Sequence, residues 1–366
     1  MVKFGFKSIK GFKMEANLNL ELLRKYSITT WLYKQGESIS LMIHLGNRLG
    51  LYKAMDEKGD LTASDLADLT GCHERWLLEW LRCNAAAGLI ETQNGENFKL
   101  EPEAAAVLAR EGEPTYAAAV FANLREIKVV DAIANAFKSG IGINYDGQGD
   151  GSEHAVEAMC APMSRSLLVS SVIPLLEGLS QKLEKGALVI DVGCGTGLAL
   201  ELLSEAFPAS RYVGYDPSHK AIEAAKKRFS KHENIELFAV GAEEIPPSGN
   251  ADFIMALDCL HDMPRPDLAL TGVLGALKED GTLLVKEIKS SPVWSENLRN
   301  PVLALMYATS ITTCLSSAMS EKDSLGLGTL GLNPELLQKM IKASGFQSFK
   351  QHKVDDPTNL YYEIRL

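Results

Sequence analysis

The sequence contains few cysteines, and none of them forms a CxxC pair or a Cys/His spacing that suits a zinc site. The thiols stand singly, at Cys72, Cys83, Cys160, Cys194, Cys259 and Cys314. This pattern argues against a disulfide framework, and we predict no metal ion. Unpaired cysteines are typical of a reducing compartment, so we expect a cytoplasmic protein.

Positive charge is also scarce. The 366 residues include 37 Lys and Arg against 47 Asp and Glu, a formal net charge of −10. Nucleic acids and anionic membranes repel an acidic chain unless one of its faces is locally basic. We therefore expect no nucleic-acid partner and no membrane partner. Hydrophobic residues at 46% and charged residues at 23% are typical of globular proteins, and the length suits about two domains.

Secretory and membrane-spanning signals are missing. Residues 1–14 contain four lysines and no acidic residue, without the apolar core of a secretory signal, so we predict a flexible leader over residues 1–16. Residues 300–320 carry no charge, but their many Ser, Thr and Tyr hydroxyl groups make them too polar for a bilayer span. A buried helix that lines a pocket or an interface suits this segment better.

Residues 17–115 have helical spacing and contain a candidate hairpin. Short strands over 88–92 and 97–100 flank an Asn-Gly turn, and helix, turn, helix, hairpin is a winged-helix arrangement. DNA binding is disfavoured because nine acids stand against four bases between positions 61 and 111. The candidate recognition helix is also rich in Trp and Leu, which favour burial. We predict a packing or dimerisation domain.

The rest of the chain is expected to divide into a linker and a sheet. Residues 116–184 are predicted to form a helical linker and lid region, interrupted by the glycine-rich run 139–152. Over residues 185–366, apolar runs alternate with amphipathic stretches, which is typical of an α/β domain with a parallel sheet. The expected strands are residues 187–192, 211–215, 235–240, 251–257, 282–288, 346–352 and 360–366.

A glycine-rich loop after the first of these strands is the most specific motif. It consists of Asp191, Gly193, Cys194, Gly195 and Gly197, and it precedes a predicted helix. Glycines allow the backbone to approach a ligand closely, and a helix N-terminus offers free N–H groups. Leu198 stands where a dinucleotide-binding loop has its third glycine, which disfavours a nicotinamide cofactor. Asp216, followed by Pro217, ends the second strand, where an acid can accept the hydroxyl groups of a ribose.

These motifs resemble those of the class I S-adenosylmethionine-dependent methyltransferases. Together with the winged-helix region, they resemble the Rv2258c-like methyltransferases, and the layout is similar to that of plant small-molecule O-methyltransferases. The resemblance implies a seven-stranded, Rossmann-like sheet that ends in an antiparallel hairpin and is preceded by a helical winged-helix domain. It implies S-adenosyl-L-methionine as the cofactor, a small-molecule acceptor, and a homodimer formed through the N-terminal domain.

The resemblance also implies positions for cofactor contacts. Ala242 and Glu243 follow the third strand, where the family contacts the adenine, and Tyr145 precedes the first strand, in a region that closes over the donor. Asp258 follows the fourth strand, at the edge where ligands bind in open α/β sheets. Methyl transfer to oxygen is the expected reaction. A cofactor-sensing regulator without turnover and a nicotinamide-dependent oxidoreductase are the alternatives.

His261 is the predicted general base. The unperturbed pKa of histidine suits proton transfer at neutral pH, and the Leu-His-Asp run resembles the catalytic segment of plant O-methyltransferases. Asp262, Asp258 or Glu287 is expected to orient the imidazole ring. The alternative is that this loop only shapes the cofactor pocket or caps a helix.

The uncharged segment is predicted to line the acceptor pocket. In a helix, Tyr307, Ser310 and Cys314 share one face through their i, i+3, i+7 spacing. We predict that this face, together with Met306, binds a small and mostly apolar acceptor. A helix at a dimer interface is the alternative.

Overall fold

The computed structural model describes residues 19–122 and 126–366. The predicted leader over residues 1–16 lies outside the described residues. The chain divides into two compact units, one ending at Arg110 and the other beginning at Glu111. This division lies close to the predicted end of the first domain, and the predicted linker falls within the second unit.

The first unit has the helix, turn, helix, hairpin order of a winged helix, as predicted. Its described elements are α1 (Leu20–Arg48), α2 (Leu51–Met55), α3 (Ala63–Thr70), α4 (Glu74–Ala86), β1 (Glu91–Thr92), β2 (Phe98–Lys99) and α5 (Pro102–Leu108). A capping box starts α3: Oγ1 of Thr62 accepts from the N–H of Asp65, whose carboxylate accepts from the N–H of Thr62. In the core, the hydroxyl of Tyr52 donates to Oδ1 of Asn84 at 2.6 Å.

The hairpin is shorter than predicted. Residues 88–90 do not pair with β2, because they complete the end of α4. Gly88 adopts a positive φ of 75°, and the N–H of Leu89 donates to the carbonyl of Asn84. This is the usual way for a helix to end at a glycine, and it delays the first strand until Glu91.

The second unit is built on a seven-stranded sheet, as predicted. Its strands are β3 (Leu188–Val192), β4 (Arg211–Tyr215), β5 (Ile235–Phe238), β6 (Ala251–Leu257), β7 (Leu277–Ile288), β8 (Ser348–His352) and β9 (Asn359–Arg365). Their order is β5-β4-β3-β6-β7-β9-β8. The first five are parallel, and β9 runs antiparallel to both β7 and β8. β7 begins earlier than predicted, because Leu277 already pairs with Ala251 before an irregularity in the register.

Hydrophobic cores lie on both faces of this sheet. The helices of the unit are α6 (Ile127–Ser139), α7 (Ser152–Leu167), α8 (Leu179–Lys185), α9 (Leu198–Ala206), α10 (His219–Arg228), α11 (Pro266–Ala276), α12 (Trp294–Asn297), α13 (Leu303–Thr309), α14 (Leu315–Ala318) and α15 (Pro334–Ala343). Ile190 and Val192 pack into one core, whereas Val189 packs into the other. Successive strand residues point to opposite faces, so burial of both faces explains the uninterrupted apolar runs.

One helical run in the second unit has the length and composition to cross a bilayer. It covers Ser152–Leu175 and joins α7 to a π-helical turn at Leu168–Val172. A single run of this kind is weak evidence for a membrane span, and 17% of its most apolar 18-residue stretch is buried. The expectation that the chain has no membrane partner stays a prediction.

Candidate active site

The candidate site lies at the carboxyl ends of the parallel strands. β3 lies between β4 and β6, so the winding of the sheet reverses beside it, and open α/β sheets bind ligands at such a switch point. The glycine-rich loop leaves β3 at this edge. Gly193, Gly195 and Gly197 have φ angles of 68°, 54° and 89°, a region of backbone conformation that favours glycine.

The three glycines have different surroundings. A Cβ atom at Gly193 would lie 2.6 Å from the Cβ atom of Cys259, and one at Gly197 would overlap the ring of Phe229. At Gly195, no described atom lies within 4 Å of that position. Packing therefore requires glycine at positions 193 and 197, whereas the backbone of Gly195 borders open space.

Asp216 joins the glycine loop to the beginning of α10. The N–H of Gly195 donates to Oδ2 of Asp216 at 2.8 Å, and the N–H of Ser218 donates to Oδ1 at 2.8 Å. Burial raises the pKa of Asp216 to about 6, although these two hydrogen bonds lower it. Carboxylate oxygens keep further acceptor directions, so the arrangement leaves room for the predicted ribose contact.

Gly193 borders two small cavities at the sheet edge, which we refer to together as the cleft. The first, of about 110 Å³, is lined by the predicted cofactor residues Asp191, Gly193, Cys194, Gly195 and Asp258. The second, of about 120 Å³, is lined by Gly193, Pro217, Ala242 and Glu243. Burial raises the pKa of Asp191 well above its usual range, and the charge of Asp216 adds to this effect. The structure thus brings most of the predicted cofactor residues to one cleft; Gly197 is the N-cap of α9.

Tyr145 reaches the same edge from the segment before α7. Its hydroxyl donates to Oδ2 of Asp262 at 2.5 Å. The adjacent Asp146 accepts a hydrogen bond from Oγ of Ser218 at 2.6 Å, at the beginning of α10. The predicted lid segment is therefore anchored beside the cleft on two sides.

His261 and Glu287 form a buried pair. Nδ1 of His261 lies 2.6 Å from Oε2 of Glu287, and both side chains are only 2% exposed. The backbone N–H groups of Leu260 and His261 donate to Oε1 of Glu287 at 3.1 and 3.3 Å. Burial lowers the pKa of His261, but the charge of Glu287 and hydrogen bonds to Cys314 and Glu287 raise it further, well above its usual value. With Nδ1–H directed to Glu287, Nε2 is the atom that can accept a proton.

Three acids are candidates to orient the imidazole ring, and in the structure Glu287 is the one that contacts Nδ1 of His261. Asp262 bonds to Tyr145 instead, and Asp258 forms an ion pair with Lys286. Burial raises the pKa of Asp262 to about 7, although the charge of His261 and the hydrogen bond from Tyr145 lower it. Ligand atoms of His261, Asp262 and Cys314 lie within 4.8 Å of one another and could hold a metal ion, so the absence of a metal stays a prediction.

Comparison with known proteins agrees with this geometry. Residues 166–320 match the model of a methyltransferase domain, and residues 37–110 match that of an Rv2258c-like winged helix-turn-helix domain. The chain combines a methyltransferase domain with an Rv2258c-like domain. The resemblance found in the sequence is thereby confirmed.

Among curated proteins, the chain is 26% identical over 166 residues to a fatty-acid O-methyltransferase of Mycolicibacterium smegmatis. The aligned stretch covers 44% of this chain and 60% of that protein. The chain is 32% identical over 104 residues to a ubiquinone biosynthesis O-methyltransferase of Bradyrhizobium diazoefficiens, covering 28% of this chain and 40% of that one. The chain therefore matches less than two thirds of the length of these relatives.

Solved structures share the whole fold. Human N-acetylserotonin methyltransferase in complex with SAM has a TM-score of 0.65 at 17% identity, and 96% of this chain and 99% of that chain are covered. The mitomycin 7-O-methyltransferase MmcR has a TM-score of 0.66 at 19% identity, with 95% and 99% covered. At these identities, the likeness establishes the fold.

In the methyltransferase domain, the uncharged segment is helical over Leu303–Ala318, with a π-helical turn at Ser310–Cys314 between α13 and α14. Ser310 and Cys314 are buried, whereas Tyr307 is 39% exposed. The common acceptor-lining face of these three residues stays a prediction. The sulfur of Met306, which is half-buried, accepts from Nδ2 of Asn300 at 3.2 Å.

Ser310 lies near the loop that carries His261. Its Oγ accepts from the N–H of Thr329 at 3.1 Å, and the N–H of the preceding Gly328 donates to the carbonyl of His261 at 2.9 Å. Ser310 is therefore linked to the His261 loop through Gly328 and Thr329.

Lys286 is a residue of the cleft that the sequence reasoning missed. It lies in β7, between Val285 and Glu287, and its side chain is only 5% exposed. A lysine is rarely buried without a partner, so its place directly after the apolar residues 283–285 could have identified it. Its ammonium group lies 2.5 Å from Oδ2 of Asp258.

Proposed function

We propose that this chain transfers the methyl group of S-adenosyl-L-methionine to an oxygen atom of a small molecule. The observation that carries the proposal is the buried His261–Glu287 pair at the same sheet edge as the glycine loop. The names of similar proteins support the reaction class, since a fatty-acid O-methyltransferase, ubiquinone biosynthesis O-methyltransferases and mitomycin 7-O-methyltransferase all methylate oxygen. SAM and SAH are named in two similar structures.

The described residues fit this cofactor. The open backbone at Gly195 allows a close approach, and Asp216 can accept ribose hydroxyl groups beside it. Ala242 and Glu243 line the second cavity that Gly193 borders, and this cavity is the proposed position of the adenine. When bound, the sulfonium supplies an activated methyl group, so the protein has mainly to align the acceptor and exclude water.

Nε2 of His261 is the proposed general base. The acceptor hydroxyl would donate a hydrogen bond to Nε2, and Nε2 would take the proton that this hydroxyl loses during methyl transfer. Glu287 holds Nδ1–H and stabilises the imidazolium that forms, as its 2.6 Å contact allows. Glu287 therefore acts as a positioning residue.

The acceptor is proposed to lie beside Ser310 and Cys314. Both are buried, and the ligand atoms of Cys314 and His261 lie within 4.8 Å. Thiol and hydroxyl groups among apolar neighbours suit a small, mostly apolar molecule with one hydroxyl or carboxyl group.

A homodimer formed through the first unit is also proposed. Helix α1 exposes Tyr26, Trp31 and Tyr33, which are 63%, 72% and 75% accessible. Exposed aromatic residues on one helix are typical of a protein interface.

The testing experiment has two steps. Calorimetric titration of the protein with S-adenosylhomocysteine should give micromolar binding, whereas titration with NADH should give none. The Asp216→Ala variant should no longer bind S-adenosylhomocysteine. Asp280→Ala, at an exposed acid of β7, is the matched control. Radiolabelled S-adenosylmethionine is then supplied with phenols and fatty acids, and label should appear in a base-labile ester or a base-stable ether. Binding without turnover of any acceptor would favour a cofactor-sensing regulator.

A further inference from the structure

A buried ion pair faces the cleft next to the glycine loop. Lys286 in β7 pairs with Asp258, the residue after β6, and these two strand ends are adjacent because Leu257 pairs with Lys286. The side chains of Lys286 and Asp258 are 5% and 13% exposed. Both line the first cavity together with Asp191 and Gly195. Neither is used by the proposed proton transfer.

The charges of this cavity are unequal. Glu153, Glu157, Asp191 and Asp258 contribute carboxyl groups, and Glu157 is engaged with Arg228 at 2.8 Å. Among the described residues that line the cavity, Lys286 is the one with a cationic side chain. An anionic group of a ligand in this cavity therefore has a single ammonium group to bind.

Asp258 has an unusual backbone conformation. Its φ is 56°, a region that side-chain-bearing residues rarely adopt. Nδ2 of Asn359 donates to Oδ1 of Asp258. The backbone N–H of Asp258 donates to the carbonyl of Lys286 at 2.8 Å. Aspartate adopts this region more readily than most residues, and the two hydrogen bonds hold Asp258 in place beside Lys286.

We infer that Lys286 and Asp258 form the subsite for the amino-acid end of S-adenosylmethionine. Lys286 binds the α-carboxylate, and Asp258 binds the α-ammonium group. The inference rests on the proposed function and adds a binding role for Lys286. An ion pair presents opposite charges side by side, which matches a zwitterion, and charge-assisted hydrogen bonds are the stronger kind.

A second lysine–aspartate pair on the same two strands provides a control. Lys278 of β7 lies 2.6 Å from Asp252 of β6, near the opposite ends of the strands. It lines a separate cavity with Ala187 and Arg211, away from the glycine loop. Loss of that pair should affect the packing of β6 and β7 but leave the proposed amino-acid subsite unchanged.

The test compares two ligands by calorimetric titration. S-adenosylhomocysteine carries the amino-acid end, whereas 5′-methylthioadenosine keeps the adenosine and the sulfur but lacks both the α-amino and the α-carboxyl group. Lys286→Met should weaken binding of S-adenosylhomocysteine by about tenfold or more and change that of methylthioadenosine by less than about twofold. Lys278→Met should leave both affinities unchanged.

A double variant serves as the control for misfolding of the single variant. Lys286→Met leaves Asp258 buried without its partner, so Lys286→Met/Asp258→Asn, which removes both charges, is measured in parallel. In it, the preference for S-adenosylhomocysteine over methylthioadenosine should disappear. Equal losses for the two ligands, or an unchanged preference, would overturn the subsite while leaving the cofactor class intact. Failure of the unaltered protein to bind either ligand would instead overturn the proposed function and the subsite with it.

Discussion

Glu287 accepts hydrogen bonds from the backbone N–H groups of Leu260 and His261, and its Oε2 lies 2.6 Å from Nδ1 of His261. Glu287 lies in β7 and His261 follows β6, so two adjacent parallel strands deliver the pair. The contact selects the tautomer that carries hydrogen on Nδ1 and keeps Nε2 available.

Replacement of His261 tests the base directly. His261→Gln should lower kcat by about 100-fold or more, because general-base catalysis commonly contributes that much. Affinity for S-adenosylhomocysteine should stay within about threefold, since His261 is not among the residues that line the cofactor cleft. His352→Gln, at the other buried histidine–glutamate pair, is the control. Unchanged turnover in His261→Gln would remove this residue from the mechanism.

Replacement of Glu287 should change the pH profile. Turnover requires the neutral imidazole, so it rises with pH through the pKa of His261, which lies above its usual value. Glu287→Gln keeps the size of the side chain but removes its charge, so the pKa of His261 falls and the acid limb of kcat moves to lower pH. The maximal rate should also fall about tenfold, because the imidazolium loses its counter-charge. An acid limb that does not move would contradict the pairing.

Cofactor binding should weaken in acid. The ionised form of Asp216 accepts the ribose hydroxyl groups, and its pKa in the free protein is about 6. Below that pH the carboxyl group must lose a proton on binding, so the affinity for S-adenosylhomocysteine should fall by up to about tenfold per pH unit. Titration between pH 5 and 8 measures the slope. Asp216→Asn should bind weakly at every pH with a flatter profile; an equally steep profile would assign the slope to another acid.

Alanine should have different effects at two glycines of the loop. Gly193→Ala combines a positive φ with overlap against Cys259, and should lower the free energy of unfolding by about 2–4 kcal/mol. Gly195→Ala meets open space, so the backbone strain alone should cost about 1 kcal/mol. Its methyl group should nevertheless obstruct the cofactor. Chemical denaturation and calorimetry separate the two effects, and the reverse order of stabilities would refute the packing assignment.

The proposed dimer should depend on α1. Trp31→Glu replaces an exposed aromatic residue of α1 with a charged one and should shift the molar mass from light scattering toward that of one chain. Trp294→Glu changes a tryptophan of the second unit with 59% exposure and should have no such effect. A monomeric unaltered protein would exclude the dimer at the outset.

Local patterns account for much that the sequence could predict. The strand Ala251–Leu257 is largely buried on both faces, so its mostly apolar run marks its bounds directly. The glycine loop and Asp216 are recognisable because backbone conformation and strand order fix their roles within a short stretch of chain. The catalytic candidate His261 was likewise found from its place after a strand.

Contacts between distant segments required the tertiary structure. Three acids were equal candidates to orient His261, and only the pairing of β6 with β7 places Glu287 against it and directs Asp258 to Lys286. A π-helical turn at Ser310–Cys314 interrupts the helix that was expected there, and an extra residue in one turn cannot be read from spacing. The sequence by itself thus determined the class of fold and the cofactor loop through local backbone requirements. The tertiary structure decided which charges meet, because strand pairing joins residues that lie far apart in the chain.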